Sequence, residues 1–209
     1  MIKTLYIVRH GETDLNKQGI VQGRGINTSL NDIGRTQAEA FYQVYKDVKF
    51  DKLYTSTLQR THQTMAHFIQ DGLSWVQLSG LDEMDWGKYE GVASSPEMRA
   101  FFKSLTDQWA AGVLGEHFEG GESPLDVNKR QKEALDEIMS FPEEKNVLIC
   151  MHGRAIRLFL CLLLNDPLSH MDHFPHQNLS LYKVAFKGDH FELLEFNNVV
   201  HLDPDSADN

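Results

Sequence analysis

The runs LYIVRHGETDLN (residues 5–16) and VLICMHGRAIR (residues 147–157) share one grammar. Each is a short apolar stretch that stops at a His-Gly pair with arginine close by. Arg9 precedes His10 in the first; Arg154 and Arg157 follow His152 in the second. Apolar runs of this length, rich in β-branched and aromatic residues, read as buried strands over residues 4–8 and 147–151. Ligands of open α/β sheets gather beyond the carboxyl ends of the strands. Both histidines are therefore expected on one rim. Gly11 and Gly153 would let the backbone turn or approach a ligand closely there.

Outward from these two tips, strands and helices alternate. Helical spacing over residues 31–47 sets Ile33, Gln37, Ala40, Phe41, Val44 and Tyr45 on one face, with Asn31 or Asp32 as cap. Residues 52–55 and 75–78 read as strands and residues 60–69 as a helix. The aromatic stretch 91–121 suggests helices forming a lid or subdomain, its Phe101, Phe102 and Trp109 either lining a cleft or packing a core. Ser123 caps a helix through Met139, with Leu125, Val127, Ala134, Leu135 and Ile138 among its apolar positions. Another helix follows from residue 154 to 164. Two apolar runs separated by Lys187-Gly188-Asp189 form a hairpin. The expected fold is α/β: a three-layer αβα sandwich with a mostly parallel sheet and an antiparallel edge hairpin. One domain spans residues 1–200 with a helical insertion near 91–121, and residues 201–209 form an acidic disordered tail.

Composition narrows the function. The 209 residues are 41% hydrophobic and 24% charged, as in ordinary soluble proteins. A formal net charge of -10 opposes a general nucleic-acid or anionic-membrane surface, yet leaves room for a small anion in an arginine-lined cleft. Cys150 and Cys161 sit in apolar runs and imply no disulfide framework. The N-terminal apolar run is too short for a signal peptide, and LFLCLLL is too short to span a bilayer. A cytoplasmic location is expected. The sequence leaves a homodimer open, because no segment marks an interface.

Arg9 beside His10 offers a two-pronged donor for phosphate or carboxylate oxygens and disfavours the imidazolium. A neutral imidazole held beside fixed positive charge suits attack on a phosphoryl group. Arg154, opening a helix, lies where backbone N–H groups favour an anion.

The stretch LYIVRHGETDLN resembles the signature of the histidine phosphatase superfamily, in the branch with cofactor-dependent phosphoglycerate mutases and fructose-2,6-bisphosphatases. Further ordered pieces carry the likeness: Gln22-Gly23, LNDIGRTQA from Leu30, YTSTLQRTHQT from Tyr54, LDEMDWGKYEG from Leu81, GGES from Gly120, VLICMHGRAIR and NLSL from Asn178. The resemblance implies that His10 is the nucleophile and passes through a phosphohistidine. It implies that Arg9, Arg60 and His152 surround the transferred phosphoryl group and that Asn16 donates a further hydrogen bond; Gln22, Gly23, Gly153 and Arg154 are the other candidate substrate- or phosphate-binding residues. Glu83 would donate the proton to the leaving oxygen. Neither metal nor cofactor is implied, and the partner is a small phosphorylated substrate. Phosphoryl transfer needs little beyond positioned cationic donors, which two arginines and a second imidazole supply.

Other readings stay open at this level. Arg60 could be a surface charge, and Asp82 and Asp85 rival Glu83. Glu90 reads as structural, Glu12 as a supporting partner or a turn residue, and Asn178 and Ser180 as pins of the loop. The remaining histidines show no dependable ligand spacing, and residues 170–176 read as a polar loop that can join the cleft wall. The chain departs from the family pattern at NTSL after Gln22-Gly23, at Leu15, and at Arg154, where a second glycine is usual. Arg154 either adds a cation that selects a second anionic group or points to solvent. Arg99 is the single arginine between Gly91 and Gly121. That favours a phosphatase over a mutase, whose longer insertion carries adjacent arginines. A catalytically silent phosphate-binding protein is the alternative of another class.

Overall fold

A computed structural model describes residues 2–203. Six strands form one sheet: β1 (Lys3–Arg9), β2 (Lys52–Thr55), β3 (Trp75–Gln77), β4 (Asn146–Met151), β5 (Leu181–Phe186) and β6 (Phe191–Asn198). Their order is β3-β2-β4-β1-β5-β6. The first four run parallel, while β5 and β6 form the antiparallel edge. The strands read as continuous apolar runs because both faces are covered. Leu5, Ile7, Val147 and Ile149 face one core, and Tyr6, Val8, Leu148 and Cys150 face the other, as the period of two requires.

The second face packs helices α2 (Asp32–Tyr45), α3 (Gln59–Thr64) and α4 (Ala66–Gln70), which follow the single turn α1 (Asp14–Lys17). The first face packs α5 (Pro96–Ala110), α6 (Pro124–Met139) and α7 (Gly153–Leu164). This is the expected three-layer sandwich. Ser123 and Asn31 are the N-caps of α6 and α2, their side chains accepting from Asp126 N and Gly34 N. Helix α7 is apolar almost all round and buried from Ala155 to Leu163 save its polar edge. It ends at left-handed Asn165 (φ 52°). Cys150 and Cys161 are free and buried. Among the described residues, no helix is long and apolar enough to cross a membrane.

Five expectations need correction. The buried face of α2 is Gly34, Ala38 and Phe41, whereas Ile33 and Val44 are exposed. Small residues win there because the helix start must meet the β1 loop backbone to backbone. Leu125 on α6 is likewise exposed. The helix expected over 60–69 is interrupted at Met65, next to Thr64, whose hydroxyl turns back to donate to the Arg60 carbonyl, a contact that bends helices. The 91–121 segment forms one helix, not a separate subdomain. Trp109 and Phe118 lie in the same apolar cluster as Leu5, Ile7 and Phe159. Finally, residues 201–203, expected within the disordered tail, are ordered. Val200–Leu202 form a 3-10 turn whose buried His201 donates to Leu179 O and packs edge-on against Phe41. Residues 204–209 lie outside the described residues.

Candidate active site

Register explains why two distant His-Gly pairs meet. β1 and β4 are adjacent and parallel, with Val8 opposite Cys150 and Arg9 opposite Met151. The next residue on each strand is a histidine. His10 N donates to Met151 O at 3.1 Å, and the His10 and His152 ring centroids lie 5.1 Å apart. On the other side of β4, Thr55 of β2 stands opposite Cys150, which brings Ser56 to the same rim. Gly11 is required there: a Cβ would sit 2.6 Å from Gly34 O, where α2 abuts the loop. Gly153 is required too, since its Cβ would fall 2.6 Å from Cε1 of His176.

Both rings are buried, 3% and 0% exposed. Burial, followed by the charge of Arg60, pushes both far below the usual histidine range. They are therefore neutral, and their partners fix the tautomers. His10 Nδ1 lies 2.7 Å from Gly11 O. A carbonyl only accepts, so Nδ1 carries the proton and Nε2 keeps its lone pair. His152 Nδ1 accepts from Arg60 Nε at 3.2 Å, while Nε2 meets Ser56 Oγ at 2.7 Å. The Thr61 hydroxyl donates to Leu58 O (2.8 Å), so it accepts the Ser56 proton at 3.1 Å. Ser56 Oγ in turn accepts the Nε2 proton of His152.

Arg60 is 0% exposed. Besides His152 it donates to Ile26 O (2.7 Å) and Gly23 O (3.3 Å). Arg9 donates through Nη1 to His176 Nδ1 at 3.2 Å, and its buried Nε has no hydrogen-bond partner. Among the described residues neither guanidinium has a carboxylate within 4.0 Å. Burial lowers both to about 10, opposed chiefly by the field of Glu83, so both remain charged at neutral pH. Buried cations without an acid in contact are costly unless an anion joins them.

Glu83 is buried at the start of α7. Its carboxylate accepts from Ala155 N (2.9 Å), Arg154 N (3.1 Å) and Met84 N (2.8 Å). Its rivals are engaged elsewhere: Asp82 accepts from Thr57 N and Oγ1 at 2.8 Å each, and Asp85 from Gly87 N. Arg130 of α6 holds the segment through the carbonyls of Gly80, Asp82 and Glu83.

Asn16 Oδ1 accepts from Thr13 N and Asn178 Nδ2, which leaves its Nδ2 end to donate. Asn178 also donates to His10 O at 2.9 Å, pinning the loop. Ser180 does so through its backbone, its carbonyl accepting from Arg9 N. Gln22 buttresses rather than faces out, with its amide bonded to Thr13 Oγ1 and Thr28 Oγ1. Glu12 accepts from Asn31 Nδ2, and Glu90 from Trp86 N. Arg154 does not point to solvent. Its side chain is 10% exposed, stacks 5.6 Å from the Trp109 ring centroid, and donates to Asp172 Oδ1 at 2.8 Å.

Sequence reasoning missed the supports. Thr64 Oγ1 accepts from Gly11 N at 3.0 Å, tying the loop to α3. Ser56, Arg130 and His176 are equally silent in periodicity, because each acts through contacts distant in sequence. The 170–176 loop does reach the cleft through His176. On its outer side Asp166, His170 and His173 each place one ligand atom within 4.8 Å of the others.

Comparison with known proteins agrees with this geometry. The profile of the histidine phosphatase superfamily (branch 1) matches residues 5–199. Phosphoserine phosphatase 1 of Hydrogenobacter thermophilus is 27% identical over 203 residues, covering 97% of this chain and 95% of its own. A Yersinia pestis protein named "Probable phosphoglycerate mutase GpmB" is 30% identical over 188 residues, covering 88% of this chain and 85% of its own. The mycobacterial glucosyl-3-phosphoglycerate phosphatase, solved with VO3, superposes with a TM-score of 0.83 at 26% identity. That match covers 94% of this chain and 100% of the other.

Proposed function

This chain belongs to branch 1 of the histidine phosphatase superfamily and is a phosphatase of small phosphorylated metabolites, and we propose that it works through a phosphohistidine on His10. The observation that carries the proposal is a pair of guanidiniums without a carboxylate in contact, Arg60 buried and Arg9 half-buried, set around two neutral imidazoles.

In this reading His10 Nε2 attacks phosphorus. The P–N bond forms as the ester P–O bond breaks, and Gly11 O supports the charge that develops on the ring through Nδ1–H. Arg9, Arg60 and the Nδ2 end of Asn16 donate to the three equatorial oxygens, where charge accumulates. His152 orders Arg60 by accepting its Nε proton at Nδ1, which aims the guanidinium at the same oxygens. Glu83 carries the proton to the departing alkoxide. A phosphate dianion beside its carboxylate is repelled, and protonating that carboxyl relieves the repulsion. Water then enters, Glu83 takes its proton, and the P–N bond breaks to release inorganic phosphate and restore neutral His10. The sequence needs no metal ion, and activity is expected to persist in chelator.

A mutase reading draws support from the Yersinia relative. Product analysis separates the two. With 3-phosphoglycerate and a trace of 2,3-bisphosphoglycerate, the hydrolase releases inorganic phosphate or leaves the substrate unchanged. Efficient formation of 2-phosphoglycerate would overturn the hydrolase in favour of the mutase.

A further inference from the structure

Beyond the phosphate pocket, on the Arg9 side, the positive charge continues. His176 Nδ1 contacts Arg9 Nη1, and the fields of Arg9, Arg157 and Arg154, after burial, push His176 down to about 2. Arg154 and Arg157 of α7 each donate Nη1 to the same atom, Oδ1 of Asp172. Arg154 N also donates to Glu83, so this cluster adjoins the proton carrier.

The partners differ in how firmly they are held. The Arg154 guanidinium lies between the Trp109 ring (5.6 Å) and the Trp86 ring (6.0 Å). Its side chain is 10% exposed and that of Arg157 20%, against 44% for Asp172. The cations are enclosed, and the acid is the member that faces solvent. The buried Nε of Arg157, like that of Arg9, has no hydrogen-bond partner. Two arginines share one acid, a donor stands unused, and the acid can swing into water.

The geometry points to a second anion subsite made by Arg154 and Arg157, with Asp172 as a resident counter-ion that gives way. Asp172 also indicates the ligand's chemistry, because a carboxylate oxygen already bridges both guanidiniums. The subsite therefore takes a carboxylate on the tail of the phosphate ester. This inference rests on the phosphatase reading and names the substrate class within it.

The test compares kcat/KM for matched pairs: phosphoglycolate against ethyl phosphate, and 3-phosphoglycerate against glycerol 3-phosphate. Wild-type protein is expected to favour the acidic member of at least one pair by about tenfold or more. Arg157→Met should cut that ratio about tenfold, and Asp172→Asn should raise it severalfold by removing the competing acid. Ratios unmoved by both variants would overturn the subsite, as would a preference for the neutral ester. p-Nitrophenyl phosphate reports the phosphatase reading separately, since it carries no tail acid. Calorimetric binding to His10→Ala keeps the subsite testable without turnover. Tighter binding of the acidic ester supports it, and equal affinities within each pair overturn it.

Discussion

The tips of β1 and β4 and the wall formed by α7 with the turn after it both set arginine beside histidine, but they are built by opposite means. At the tips the backbone decides. In-register parallel pairing delivers His10 and His152 to one rim, and the tautomers are fixed by a carbonyl and a guanidinium. In the wall side chains decide. Arg154, Arg157, Asp172 and His176 are held by one another and by Trp86 and Trp109. A pocket held by backbone register tolerates little change in its chemistry. A wall held by side chains can be rewritten to fit a different ester, which is where this chain has exchanged a glycine for Arg154.

Perturbing the tips should therefore cost far more than perturbing the wall. Glu83→Gln is expected to slow hydrolysis of an alkyl phosphate about a thousandfold, and p-nitrophenyl phosphate much less, because p-nitrophenolate leaves without a proton. Equal losses on the two esters would remove Glu83 from the proton-carrying role. Arg60→Lys should lower kcat about a hundredfold, since one ammonium cannot serve His152, two carbonyls and the phosphoryl group together.

Ser56→Ala should cost about tenfold in kcat, because the Nε2 proton of His152 loses its acceptor while Arg60 still holds the tautomer at Nδ1. The 15N shifts of the His152 ring would show the Nε2-protonated tautomer in both proteins, with the Nε2 resonance moved in the variant by the lost hydrogen bond. An unmoved resonance with unchanged kcat would assign Ser56 a packing role only.

The smallest effect is on stability. His10, His152, His176 and His201 refuse, when folded, protons that free histidine takes up near pH 6.5. The unfolded chain binds more protons as pH falls, so stability is lost on acidification below about pH 6.5. The urea midpoint should drop between pH 6.5 and 5, and the slope should flatten in His10→Asn. A midpoint constant over that range would mean that these rings titrate normally in the fold.

Much of this contrast could be read from the sequence, but unevenly. Apolar runs ending at His10 and His152, the cap at Ser123 and the Lys187-Gly188-Asp189 hairpin are local signals, and each lies where expected. The L-x-E-x-x-W-G frame singles out Glu83 among three carboxylates for the role we propose, and Asp82 and Asp85 are hydrogen-bonded to Thr57 and Gly87 instead. What was not legible depends on tertiary contact. The buried face of α2 is set by Gly34 meeting the loop after β1, and the interruption at Met65 lies where the Thr64 hydroxyl turns back onto the Arg60 carbonyl. The fate of Arg154 is set by two tryptophans and an aspartate from three other segments.

Rapid acid-free quenching of turnover with a 32P-labelled monoester tests the central claim most directly. The account predicts an acid-labile, base-stable label on Nε2 of His10 that vanishes in His10→Ala while the variant stays folded. A label on another residue, or steady hydrolysis with no labelled protein at any time, would contradict it.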